Sequence, residues 1–203
     1  MDAQEFLRRL AEGERDFQKV SLSGVDLNDT EVRRDSPNRI INLGFSNFAG
    51  ANFAGANLSA TDFSNSNLIG ACLKGANLYK ASFSNCDLSG ANLSNADAVQ
   101  TSFSSATLIN ANLSNANLEG AGLNNANLER ANLSGVNLNE ACLYTAYLVD
   151  AILIGADLTD TDLENADFEG ANLKNVNFQG ANYDLERDVY YSCLLYTSDA
   201  ADD

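Results

Sequence analysis

Histidine, the side chain that most often moves protons near neutral pH and binds zinc through nitrogen, is absent from all 203 residues. Carboxylates and thiols are what remains for catalysis. Glu119, Glu129, Glu164 and Glu169 recur at multiples of five residues. A glycosidase-type acid and base need two carboxylates facing each other across a groove. These four share one phase of a repeat that, as shown below, places them on a convex surface, so they are expected to be solvated charges. Cys72, Cys86, Cys142 and Cys193 form no C-x-x-C pair and are too scattered for a disulfide framework, which points to a reducing compartment. A nucleophilic thiol needs electropositive surroundings, whereas 28 acidic side chains face 12 basic ones, for a formal charge of −16. Gly50, Gly55, Gly70 and Gly75 share one phase too, and mark bends rather than a phosphate loop. No catalytic, cofactor-binding or metal-binding residue is assigned.

The elements that position these side chains follow from a period of five. A Leu or Phe stands at every fifth residue from Leu43 through Phe48, Phe53, Leu58 and Phe63 to Phe178 and Tyr183, 29 units with Ala98 as the one small centre. Two residues before each centre is a small side chain, as at Ala51, Thr61, Ser66 and Cys86. Between the two lies Asn or Asp in 21 units. Neither the 3.6 period of an α-helix nor the 2 of a flat strand fits. If each unit forms one side and then bends, four units close a coil of twenty residues, with the centre and the small residue inside. Four bulky centres fill such a coil, so a second bulky set would overpack it. Successive coils would pair in parallel at about 4.8 Å, giving a rod roughly 35 Å long. Stacked Asn side chains are expected to form ladders. Phe63, Phe83 and Phe103, twenty residues apart, should stack with ring centroids at roughly 5 Å. At Ala98, between Leu78 and Leu118 of its own side, either a void or an inward bulge at Val99 is expected.

Outside the repeat, Asp2 and Glu5 make a capping-box pattern, Phe6, Leu7, Leu10 and Ala11 an apolar face, and Gly13 a stop signal, which predicts a capping helix over 1–14. Phe17, Leu22, Leu27 and Val32 predict a first irregular coil over 15–32. A loop at 33–40 holds the only proline, Pro37, and the repeat proper runs over 41–183. Residues 184–192 read as a truncated C-terminal segment. With no apolar stretch of the roughly 20 residues that a membrane span needs and no signal-peptide pattern, the chain is expected to be cytoplasmic.

Runs such as 111–115 (Ala-Asn-Leu-Ser-Asn) and 156–160 (Ala-Asp-Leu-Thr-Asp) resemble the A(D/N)LXX signature of the pentapeptide-repeat family, over about 70% of the chain. The resemblance implies an all-β architecture, a right-handed quadrilateral parallel β-helix; spacing alone leaves the hand open. It also implies a bacterial, non-enzymatic scaffold. Some acidic members mimic duplex DNA and bind type II topoisomerases such as gyrase, which supplies an alternative function. Separately, residues 193–203 resemble the translation of a transposon-type sequencing adapter, and a non-native tail is expected there.

Charge is uneven: residues 43–118 carry three acidic and two basic side chains, residues 119–188 thirteen and three. The far half would repel phosphates and anionic lipids, so direct contact with nucleic acid or membrane is not expected. Nor is a small-molecule substrate. One stretch breaks the polar surface pattern. Outward positions at 142–154 hold Cys142, Tyr144, Tyr147, Val149, Ile152 and Ile154, an apolar girdle around three sides of one coil and a candidate protein interface, with Glu140, Asp150, Asp157 and Asp160 as its rim. The partner is an unknown protein or a second copy.

Overall fold

The structure is a computed structural model that describes residues 1–27 and 40–182. Residues 33–39 of the loop expected at 33–40, Val32, Tyr183, the segment 184–192 and the tail 193–203 lie outside the described residues.

One unit shows why the chain coils. In the pentapeptide 51–55, the Ala51 N–H closes a turn on the Phe48 carbonyl at 2.9 Å, the Asn52 N–H reaches down to Val20 O at 2.8 Å, and the N–H groups of Phe53 and Gly55 reach up to Cys72 O and Lys74 O at 2.7 and 2.9 Å. The fifth, from Ala54, donates to Asn52 Oδ1 at 3.0 Å. Every amide of the unit has an acceptor, so the backbone can be buried on its inner side at no cost in hydrogen bonds. The same pattern repeats through parallel bridges twenty residues apart, such as Asn47↔Asn67, Asn67↔Asp87 and Asp87↔Thr107. Four pentapeptides therefore make each coil. Among the described residues, only β1 (Ile41–Asn42) and β2 (Thr61–Asp62) exceed a single bridged residue. Each side bends again too soon for a longer strand.

The bend has a conformational signature. Every fifth residue from Phe45 to Gly180 has a positive φ, as the second central residue of a type II turn requires. Gly fills ten of these 28 positions and Asn eight, the two residues that visit this region most readily. Bulky exceptions such as Phe45 and Thr145 carry strain.

Asparagine's role differs from the expected ladder. In nineteen units the side-chain Oδ1 of Asn or Asp accepts the N–H two residues on, as at Asn57, Asn92, Asn132 and Asp167. These are Asx turns. Inter-coil rungs between such side chains include Asn137 Nδ2 on Asn117 Oδ1 at 2.9 Å and Asn177 Nδ2 on Asp157 Oδ1 at 3.2 Å. Where Ser replaces Asn, hydroxyls of Ser64, Ser82, Ser84 and Ser102 zigzag up one side at 2.9 to 3.1 Å.

Inside, centres and small residues alternate with almost no exposure up to Ala171, and Leu173, Val176, Phe178 and Ala181 beyond it are half-buried. The aromatic stack is as expected: Phe63 to Phe83 is 4.9 Å and Phe83 to Phe103 is 5.3 Å, with rings within 9° of parallel. Some buried hydroxyls at the small positions are satisfied by a carbonyl one coil below, Thr101 Oγ1 donating to Leu78 O at 2.7 Å and Thr161 Oγ1 to Leu138 O at 2.8 Å. At Ala98 no bulge forms. The ladder runs through it, Ala98 N–H to Asn117 O at 2.7 Å and Gln100 N–H to Glu119 O at 2.9 Å, and Val99 stays half-buried on the outside. Ala98→Leu is expected to raise stability by about 1 kcal/mol by filling the space between Leu78 and Leu118. Thermal melts check this, and a clear loss would show that the neighbours already occupy it.

At the N-terminal end, α1 (Ala3–Ala11) starts at Asp2, whose Oδ1 accepts the Glu5 N–H at 2.8 Å. Only this half of the capping box forms, because the Glu5 carboxylate turns to the Arg8 guanidinium at 3.0 Å. The helix closes in a Schellman motif, with the Gly13 N–H on Leu10 O and the Glu14 N–H on Arg9 O. Phe6 is fully buried against Phe17 and Phe48, with Ala3, Leu7 and Leu10 half-buried around it, whereas Ala11 points to solvent. The bridges Asp16↔Asn47, Ser21↔Asn52 and Asp26↔Asn57 put Phe17, Leu22 and Leu27 one coil below Phe48, Phe53 and Leu58. Pairing of β1 with β2 places Leu43 below Phe63. Leu43 thus supplies the fourth side of the first coil.

Candidate interaction surface

Leu143, Leu148 and Leu153 are buried centres on three consecutive sides, and the residues flanking them form the girdle. Tyr144, Tyr147, Ile152 and Ile154 are exposed, Tyr147 to 54%, while Cys142 and Val149 are half-buried. The six thus lie together, but Cys142 differs from the outward residue expected. Its thiol donates to Asp162 Oδ2 at 3.5 Å, and burial first of all, with the Asp162 carboxylate, pushes its pKa up against the lowering effect of the Tyr144 N–H. It is a contact between coils. Cys86 is a core thiol, donating to Phe63 O at 2.9 Å and pushed up to about 12 mainly by burial.

The girdle departs from the repeat in its turn caps as well as its outward side chains. Cys142, Tyr147 and Ile152 replace the Asn or Asp that caps the turn in three successive units. The Tyr144 N–H still meets the Cys142 sulfur. Among the described residues, no side chain accepts the N–H of Val149 or Ile154. In the same stretch Thr145, a β-branched residue, holds φ at 54°. Its Oγ1 lies 2.6 Å from both Asn125 Oδ1 and Tyr144 O. Beneath Tyr144, the side-chain oxygen of Asn124 is out of water and meets no donor. Lost caps and strained backbone of this kind gather at functional sites, which is the reason to look there.

The register adds acidic neighbours to the rim expected at Glu140, Asp150, Asp157 and Asp160. Bridges Cys142↔Asp162 and Tyr147↔Asp167 set two carboxylates directly above girdle residues. By the same register, Thr145 N–H to Glu164 O and Asp150 N–H to Glu169 O, Glu164 and Glu169 stand above Tyr144 and Val149. An acidic row thus borders the apolar row one coil away. Adding twenty to each girdle number would have found it. On the other edge Glu129 faces Arg130 at 2.9 Å, an exposed pair of small energetic weight. Among the described residues no cluster of three or more Cys, Asp and Glu could hold a metal ion, and no helix is long and apolar enough to cross a membrane.

Comparison with known proteins follows this geometry. The family model for the pentapeptide repeat region matches residues 56–133, and that for pentapeptide repeats in eight copies matches residues 151–182. No curated protein matches the chain significantly. Among solved structures, it is similar to a trypsin-treated form of QnrB1, a plasmid-mediated fluoroquinolone resistance protein, at 24% identity over 88% of this chain and 97% of that one, with a TM-score of 0.53. HetL, a pentapeptide repeat protein involved in heterocyst differentiation regulation in Nostoc sp. strain PCC 7120, is 28% identical over 89% of this chain and 96% of its own, with a TM-score of 0.37. A pentapeptide repeat protein of the Arabidopsis thaliana thylakoid lumen is 38% identical over 56% of this chain and 65% of that one, with a TM-score of 0.40. Both family matches keep the five-residue phase of the ladder, and the chain belongs to the pentapeptide-repeat protein family.

Proposed function

We propose that the chain is a non-enzymatic, right-handed coil that serves as a protein-interaction scaffold, and that the girdle at 142–154 is its contact surface. The right-handed sense is the one that connections between parallel neighbours take in nearly all sheets. A reducing, cytoplasmic setting accords with the free thiols of Cys72, Cys86 and Cys142. One observation carries the contact surface: three successive units give up the turn cap for apolar side chains, two of them leaving an amide without an acceptor. Tyr144 and Tyr147 supply large faces with polar tips beside Val149, Ile152 and Ile154, a composition typical of interface centres.

The test restores the repeat. Tyr147→Asn with Ile152→Asp returns an acceptor to the Val149 and Ile154 amides, each worth about 1 kcal/mol. The melting temperature is expected to hold or rise, while an oligomer or a pulled-down partner is lost. Retention of every partner and oligomer by a well-folded double variant would leave the girdle without a role. The alternative, imitation of duplex DNA toward a type II topoisomerase such as gyrase, has weaker support, because the coils over 43–118 are nearly neutral and a duplex mimic needs charge along its length.

A further inference from the structure

Resting on the reading of the girdle as an interface, we infer that its occupant is a basic, extended segment of another protein with interspersed apolar side chains, and not a second copy of this chain. Two parallel rows carry the inference. The lower row is apolar: Tyr144, Tyr147 and Val149 on two adjacent sides, continued by Ile152 and Ile154 on the third. The upper row, one coil above on the first two sides, consists of Asp162, Glu164, Asp167 and Glu169. Coils are separated by about 4.8 Å, so a single strand laid along the girdle touches both rows with alternate side chains, apolar ones below and cationic ones above. A second copy would bring its own four carboxylates to the same contact, and like charges face each other at a cost.

The backbone of the segment also has a place. In capped units the corresponding amide bonds to the Oδ1 of an outward Asn or Asp, which shows that it points toward the outer face. At Val149 and Ile154 those amides are free of side-chain acceptors among the described residues, and carbonyls of an extended segment can take them. Main-chain bonds of this kind give affinity, while alternate side chains give specificity.

The probe is a fluorescein-labelled peptide of about ten residues in which Lys and Leu alternate, long enough to follow two sides. Its binding to the full chain is measured by fluorescence anisotropy beside a Lys and Ser peptide of equal charge. The wild type is expected to bind the Lys and Leu peptide at least about tenfold more tightly than the Lys and Ser peptide. Asp162→Asn, Glu164→Gln, Asp167→Asn and Glu169→Gln together should weaken it by about tenfold or more, as should Tyr147→Asn with Ile152→Asp. The first set keeps the Asx acceptors. Should it nevertheless lose the fold, Glu164→Gln with Glu169→Gln alone is used, since neither caps a turn. Equal binding of the two peptides, or indifference to the loss of the acidic row, would mean ordinary attraction to an acidic chain and overturns the inference. A wild-type dimer in sedimentation that the Tyr147 and Ile152 changes dissociate, that survives removal of the acidic row, and that the peptide does not disturb would keep the interface and overturn its basic occupant. No binding of the Lys and Leu peptide overturns the occupant alone, because the pull-down with the double variant judges the interface separately.

Discussion

Phe83→Ala is expected to lower stability by about 4 kcal/mol, among the largest effects of any single truncation in this chain. Phe83 is fully buried and lies between Phe63 and Phe103 at 4.9 and 5.3 Å, so its removal deletes two ring contacts and leaves a cavity walled by both. The backbone cannot collapse into that cavity. Leu68, Leu73 and Leu78 complete the same coil, and each is locked to the coils above and below by ladder bonds such as Leu78 N–H to Asp97 O at 2.7 Å. In a repeat array each coil touches only its neighbours, so stability is close to a sum of coil and interface contributions. Weakening one central coil therefore weakens two interfaces. Thermal unfolding followed by circular dichroism should show a midpoint lower by roughly 8 to 16 °C, at about 2 to 4 °C per kcal/mol for a chain of this size. A fall of less than about 3 °C would show that the stack contributes little beyond its neighbours' own packing.

Phe6→Ala should cost about 3 kcal/mol, and its consequences reach beyond stability. The Phe6 ring sits edge-on to Phe17 at 4.8 Å and 6.2 Å from Phe48, closing the core of the first coil. Arg9 lies 5.6 Å over the other part of that surface, at the Phe17 ring, and is held by Glu14. Once α1 detaches, Phe17 and the open ladder of the lowest coil face water. Exposed ladder edges pair with other chains, which is why solenoids need polar caps at their ends. The variant is expected to show a lower denaturation midpoint and concentration-dependent association in sedimentation. A variant that loses neither stability nor its wild-type sedimentation would show that the helix covers the coil without closing it.

How far the sequence determined this molecule depends on which bond is asked about. Once the chain turns every five residues, the register twenty residues apart is invariant, so Phe63, Phe83 and Phe103 had to meet, and the small residues at Ala51, Ala56 and Ala71 had to be inside. The girdle's position on three sides follows from the same arithmetic. Tertiary structure decided what the period leaves open. Asn52 and its counterparts bond within their own turn because the ladder leaves one amide per unit unpaired, and an acceptor two residues away is closer to it than the next coil. Leu43 completes the first coil because Asp16, Ser21 and Asp26 pair with Asn47, Asn52 and Asn57, a register across residues 28–39 that the five-residue period does not fix. Glu5 serves Arg8 rather than the Asp2 amide because a guanidinium binds a carboxylate through two donors and an amide through one. Strain at Thr145 likewise belongs to the folded state. Periodicity specifies which residues superpose; the competition among nearby donors and acceptors, which only the assembled coils bring within reach, specifies what each one binds.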